Sequence, residues 1–374
     1  MRVVLVTESF PPDVNGVAHC ALQTARHLAA RGHDPLVVAP ATAAGAEADA
    51  HAPCPVVRVP SLPFPGYAQV RVALPSRRVA QALTDHRADL VHLASPFVLG
   101  VRGMAAAGRR GIPAVAVYQT DLAGYARTYM GGGEAAAWRR LRGVHTAADR
   151  TLAPSTAARR DLEAHGIPRV SLWPRGVDTE RFHPRHRDDA LRRELAPHGE
   201  LLVGYVGRLA PEKQVELLSG VCGLDRVRPV LVGEGPSADA LRRALPGAAL
   251  LGRRTGHELA RIFASLDVFV HTGPFETFCQ TVQEAMASGL PVVAPAAGGP
   301  LDLVDHGTTG LLVPPGDADA VRGAVAALAA RPALRARFGA AGRAAVEGRT
   351  WQAVGDQLLD HYAEVLEART AVAA

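Results

Sequence analysis

Apolar positions along this chain fall into two alternating rhythms. Short, mainly apolar runs occur at Arg2–Val6, Leu36–Ala39, Leu90–Leu93 and Ala114–Val117. Between them lie stretches with apolar residues three and four positions apart, the mark of a half-buried helix. From Ala18 to Ala30, residues Ala21, Leu22, Ala25, Leu28 and Ala29 share one face, and Gly32 stops the pattern. The β–loop–α–β order predicts a doubly wound parallel sheet. Thr151–Ala153 and Ser171–Trp173 are expected to extend it.

The same alternation restarts further along. Leu201–Val206, Val230–Val232, Val268–His271, Pro291–Ala294 and Leu311–Val313 read as strands, with helices at Glu258–Ser265 and Gln280–Ser288. A last helix is predicted from Trp351 to about Ala368, its apolar side formed by Val354, Leu358, Leu359, Tyr362, Val365 and Leu366. The polar, Arg/His-rich stretch from Pro174 to Pro197 reads as a connection between domains. The expected division is residues 1–178, residues 179–350 and a closing helix over 351–374. Ala41–Ala52 reads as a loop. Pro53–Pro75, rich in proline and carrying Phe64 and Tyr67, reads as an ordered but irregular surface loop.

Composition narrows the class. The 374 residues are 48% hydrophobic and 21% charged, as in soluble globular proteins, and are enough for two domains. There is no apolar run long enough for a membrane-spanning helix, and Thr7-Glu8-Ser9 breaks the first run too early for a signal peptide. Cys20, Cys54, Cys222 and Cys279 have neither zinc-site nor redox spacing, so free thiols are expected. The net charge of +5 fits an anionic ligand or an acidic membrane surface, but no zinc finger or basic–aromatic run points to nucleic acid. Lys213 is the only lysine; arginine supplies every other fixed cation.

Four segments carry candidate chemistry. In Glu276-Thr277-Phe278-Cys279-Gln280-Thr281-Val282-Gln283-Glu284, a loop carboxylate precedes a helix whose first N–H groups lack helical partners. Glu276 and Glu284 could hold two hydroxylated parts of one ligand, or be a cap and a solvated surface group. Gly207-Arg208-Leu209-Ala210-Pro211-Glu212-Lys213 follows a strand at the carboxyl edge, where α/β folds bind ligands. Arg208 offers a planar fork and Lys213 a point charge, which together suit a diphosphate. Pro11 to Val17 forms a loop in which Gly16 would let backbone approach a phosphate; a simple tight turn is the alternative. Tyr118-Gln119-Thr120-Asp121 also follows a strand, and Asp121 could equally be a helix cap.

In combination these segments resemble the retaining family-4 glycosyltransferases of GT-B architecture over nearly the whole chain. The glutamate pair, the Gly-Arg-Leu-x-x-x-Lys loop, the Asn-Gly loop and the final helix carry the likeness. Tyr118–Asp121, Glu276–Gln280 and Ala297-Gly298-Gly299-Pro300-Leu301-Asp302 are most similar to actinobacterial GDP-mannose-dependent α-mannosyltransferases. The resemblance implies two Rossmann-like doubly wound domains facing a cleft, the first on the acceptor side and the second binding the nucleotide sugar. It implies that Arg208 and Lys213 hold the donor diphosphate and that Gly16 and Gly207 approach it. Glu276 would contact the transferred sugar, with Phe278 and the N–H groups of Cys279, Gln280 and Thr281 beside it; Glu284 would hold the ribose. Gln119 or Asp121 would be a polar helper where many relatives have histidine, and many relatives have glycine in place of Cys279.

The expected reaction moves a hexose, mannose from GDP-mannose, to a hydroxyl acceptor such as a glycolipid with retention of configuration. No metal and no cofactor are expected, because no Asp-x-Asp motif of the type that holds a metal with a diphosphate is seen and the two cations would take the metal's place. The expected location is cytoplasmic, with a peripheral seat on the inner membrane face compatible with the basic charge. Rival readings are a UDP-sugar donor with a small or oligosaccharide acceptor, and a sugar-nucleotide-binding protein without turnover. A dinucleotide dehydrogenase would need the glycine fingerprint and ribose-binding acid that are missing.

Overall fold

The structure, a computed structural model, describes residues 1–64, 67–124 and 132–373. It divides into two units, Met1–Arg175 with Trp351–Ala374, and Gly176–Thr350.

The first unit is built on seven parallel strands: β1 (Arg2–Val6), β2 (Asp34–Pro40), β3 (Val56–Val59), β6 (Leu90–Leu93), β7 (Ala114–Val117), β8 (Arg150–Ala153) and β9 (Val170–Leu172). Their order is β3-β2-β1-β6-β7-β8-β9, so the winding reverses between β1 and β6. Every residue of β6 and β7 is buried, as expected of strands covered by helices on both faces. Helix α1 (Gly16–Ala30) follows β1 and buries Ala18, Cys20, Ala21, Thr24, Ala25 and Leu28. It begins earlier than the apolar rhythm indicates because Asn15 caps it, its side chain accepting from the N–H groups of Val17 and Ala18. Helix α2 (Val98–Arg110) follows β6 and ends on Gly111 in the left-handed conformation.

The second unit repeats the plan with six parallel strands: β10 (Leu201–Val206), β11 (Val227–Val232), β12 (Ala249–Leu250), β13 (Val268–Val270), β14 (Val292–Pro295) and β15 (Gly310–Val313). The order β12-β11-β10-β13-β14-β15 reverses between β10 and β13. Helix α3 (Gln280–Ala287) follows β13, and Cys279 stands at its N-cap. Helix α4 (Trp351–Ala373) belongs to the first unit, where Val354, Leu358, Tyr362 and Val365 join the cluster of Val3, Leu5, Leu28 and Trp173. Two buried polar contacts help fasten it: Tyr362 OH lies 2.7 Å from His92 Nδ1, and Trp173 Nε1 donates to the Val354 carbonyl at 2.9 Å.

Two sequence expectations are corrected. Pro53–Pro75 is not an irregular loop: it supplies edge strand β3 and a hairpin of β4 (Ser61–Phe64) and β5 (Tyr67–Ala73). Its prolines hid the strands, because Pro55 and Pro60 bracket β3 and an edge tolerates a missing donor. Residues 65–66 of this segment, and the side chains of Phe64 and Tyr67, lie outside the description. Within Ala41–Ala52, Gly45–Asp49 is helical, and Arg58 binds the Asp49 carboxylate there. The stretch from Pro174 to Pro197 holds the division between the units, at Arg175/Gly176, and within it Val177, Phe182, Leu195 and Ala196 are buried in the second unit's core.

Candidate active site

In the second unit the two switch-point strands deliver the candidate loops. Gly207–Lys213 leaves the carboxyl end of β10, and His271–Cys279 leaves that of its neighbour β13. Hydrogen-bonded neighbours must release their loops side by side, so residues about sixty positions apart come together. Lys213 Nζ donates to Glu276 Oε1 at 2.5 Å. The Thr272 hydroxyl donates to the Lys213 carbonyl at 2.6 Å, tying one loop to the other. Lys213 and Glu276 keep 17% and 18% of their side-chain surfaces exposed, enough for a ligand to reach them.

Arg208 sits on the same loop and pairs with the buried carboxylate of Glu212. Its carbonyl accepts from the Tyr205 hydroxyl at 3.1 Å. The loop after β13 is held from behind by the Gly298-Gly299 turn. The Gly299 N–H donates to the Glu276 carbonyl at 2.7 Å, and a β-carbon on Gly299 would stand 2.1 Å from the Phe278 carbonyl oxygen. Only glycine fits there. The Phe278 side chain is buried in the core. Cys279 adopts φ 79° and ψ 72°, the left-handed conformation that a residue without a β-carbon takes at least cost. That conformation turns the chain into α3 and leaves the first N–H groups of Gln280 and Thr281 at the helix N-terminus. The Gln280 amide donates to the Gly176 carbonyl at 3.0 Å.

One neighbour was not foreseen. His271, seen in the sequence only as the end of a strand, is buried with Nε2 3.2 Å from Glu276 Oε1 and its ring stacked on Tyr205. The only sequence cue was a histidine closing an apolar strand just before a Gly-Pro loop. Burial alone would raise the Glu276 carboxyl, but the Lys213 ammonium and His271 hold it well below the usual carboxylate range. Burial pulls the His271 imidazole down, yet Cys279 and Glu276 outweigh it and carry it up to about 10. Glu284 lies one helical stretch away from this cluster. Burial pushes its carboxyl up to about 8, against the lowering effects of Gln280 and Arg181.

The first unit's candidates are placed differently. Asp121 accepts from the Gly124 N–H at 2.8 Å, the capping bond that was its alternative reading. Gln119 is buried, and its Oε1 accepts from Arg175 Nη2 at 3.1 Å. Gly16 is the first residue of α1, and a β-carbon on it would lie 2.7 Å from Arg175 Nη1. Arg175, buried and also unforeseen, therefore brings a guanidinium to Gly16 and Gln119 together. Across the first unit's switch point, Glu8 Oε1 accepts from the Leu99 N–H at 2.5 Å, and the Glu8 N–H donates to Ser95 Oγ at 3.0 Å.

The arrangement in the second unit has cations and a helix N-terminus ready for an anionic ligand, and a carboxylate ready for hydroxyl groups. The family described as Glycosyltransferase Family 4 matches residues 14–181, and that described as Glycosyl transferases group 1 matches residues 186–345. The chain belongs to the family-4 glycosyltransferases. It is 48% identical over 378 residues to a GDP-mannose-dependent alpha-mannosyltransferase of Mycobacterium tuberculosis, covering 100% of this chain and 99% of the relative. The protein of the same name from Mycolicibacterium smegmatis is 49% identical, with 100% of each chain covered. Among solved structures, Anabaena HepE in complex with UDP superposes with a TM-score of 0.81 at 22% identity, covering 97% of this chain and 100% of that one. The likeness extends the GT-B fold to this chain.

Proposed function

We propose that the protein transfers mannose from GDP-mannose to a hydroxyl acceptor, with retention of anomeric configuration and without a metal. The observation that carries the reading is the Lys213–Glu276 contact across the β10/β13 switch point, beside Arg208 and the N-terminus of α3. Breaking the anomeric bond builds negative charge on the departing diphosphate and positive charge on the sugar. Arg208 and Lys213, aided by the N–H groups at the head of α3, stabilise the former. Glu276 accepts hydrogen bonds from the sugar hydroxyls, and Glu284 holds the ribose. Lys213 is held by Glu276 and Arg208 by Glu212, so the donor enters a site whose cations are already placed. The acceptor hydroxyl attacks the face the diphosphate leaves, and a phosphate oxygen takes its proton.

In this reading Gln119 and Asp121 of the first unit serve the acceptor side, Gly16 approaches the donor diphosphate from that unit, and residues 179–350 form the donor side. A glycolipid acceptor and a cytoplasmic location, peripheral to the membrane, accord with the +5 charge. Among the described residues no helix is long and apolar enough to cross a membrane. The names of the mannosyltransferase relatives support the donor.

The test is to incubate the protein, with EDTA present, with GDP-mannose, GDP-glucose, UDP-glucose and UDP-N-acetylglucosamine separately. Thermal stabilisation and nucleotide release with GDP-mannose alone are expected. A response confined to a UDP-sugar would replace the donor, and an inverted product would overturn the same-face route.

A further inference from the structure

The donor site holds three groups that the transfer reaction does not need in combination. His271, Glu276 and Cys279 each bring one ligand atom to the same spot, all lying within 4.8 Å of one another. His271 is 2% exposed, and neither ring nitrogen completes a hydrogen bond, although Nε2 points at the Glu276 carboxylate from 3.2 Å. The Cys279 thiol is a free cysteine, buried, and 3.9 Å from the Thr281 hydroxyl.

We propose that His271, Glu276 and Cys279 form a binding site for a soft divalent cation of the zinc type, and that its occupancy excludes the sugar donor. A nitrogen, an oxygen and a sulfur with a fourth position open are the donor set and number zinc takes at sites that also bind an exogenous ligand. At bond lengths of about 2.0–2.3 Å, tetrahedral ligand atoms stand roughly 3.3–3.7 Å apart. The His271 and Glu276 atoms already stand 3.2 Å apart, so the closing-in falls on the Cys279 thiol, a shift that side-chain rotation supplies. Thiolate and imidazole select against magnesium and calcium, which require oxygen ligands. Binding expels the Cys279 and His271 protons and requires Glu276 to turn a carboxylate oxygen from Lys213 to the metal. The site itself stands on these three side chains. Exclusion of the donor rests on the reading that Glu276 and the head of α3 hold the sugar and phosphate.

Cobalt(II) serves as the probe, because a thiolate ligand gives it a charge-transfer band in the near ultraviolet. The band is expected on titrating the full-length protein without donor, and should saturate at one equivalent. It should vanish in Cys279→Gly, a change whose backbone suits φ 79°. It should persist when Cys20, Cys54 and Cys222 are all replaced by alanine. Zinc should abolish it and magnesium leave it unchanged. No band in the parent protein, or a full band in Cys279→Gly, overturns the site. With zinc at about ten times its Kd, the KM for GDP-mannose should rise about tenfold, and each variant is referred to its own metal-free rate. A cobalt band that GDP-mannose fails to suppress would keep the metal site and overturn the exclusion of the donor.

Discussion

The two units of this chain solve the same topological problem in opposite ways. Each is a parallel sheet whose winding reverses between its first strand and the strand that crosses to the other side, β1/β6 in one and β10/β13 in the other. In the second unit the crevice at that point is bridged by Lys213 and Glu276, two charged side chains that a ligand can reach. In the first, Glu8 spends its carboxylate on the Leu99 N–H at the head of α2. Asn15 caps α1 and Asp121 binds the Gly124 N–H, so the polar groups there mainly build loops. A carboxyl edge is thus only a place where chemistry can be installed. What separates the two is whether the charged groups face one another or the backbone.

The largest effect should come from removing the bridge. Lys213→Ala is expected to lower kcat about 100–1000-fold, as loss of a preorganised charge aimed at a developing anion does. A fall of only a few-fold would place the diphosphate elsewhere. Next comes the support of that loop. Gly299→Ala puts a β-carbon 2.1 Å from the Phe278 carbonyl and should cost about 3 kcal/mol in denaturant unfolding; an unchanged midpoint would mean the turn is freer than described. In the first unit, Glu8→Ala leaves the head of α2 short of an acceptor. Its expected cost is about 1–2 kcal/mol, with kcat/KM within a few-fold of the parent. A hundredfold loss of activity would erase the contrast between the two edges.

A pH dependence is expected at Glu284. Its carboxyl titrates at about 8 in the folded chain against 4.5 for an ordinary glutamate. Between these values the native state holds the extra proton, so this group's contribution to stability falls as pH rises from about 4.5 to 8. Glu284→Gln should therefore melt higher than the parent at pH 8 and show little advantage at pH 4.5. A melting difference that does not vary with pH would mean that Glu284 is ionised throughout.

Much of this was legible in the sequence, for a reason visible in particular residues. Leu90–Leu93, Ala114–Val117 and Leu201–Val206 are strands at those bounds because a strand covered on both faces is nearly continuously apolar. The apolar face read along the last helix is the one that packs, with Leu359 and Leu366 at its margin. Arg208, Lys213 and Glu276 could be picked out because each lies in a short local motif. What stayed hidden depends on distant partners. Nothing local says that Glu212 takes Arg208, that His271 turns toward Glu276, or that Arg175 lies against Gly16. The hairpin of β4 and β5 was masked by prolines, and the two-residue strand β12 is too short to leave a rhythm.

Val354, Leu358 and Tyr362 complete the first unit's core although the chain leaves that unit at Arg175 and returns only at Trp351. On the ribosome, where chains grow at about 5–20 residues per second, the amino-terminal sheet waits on the order of ten to thirty seconds for its last helix. The contiguous second unit needs nothing made later. Order of synthesis and order of completion are therefore reversed, and the part that emerges first is the one in longest need of a chaperone.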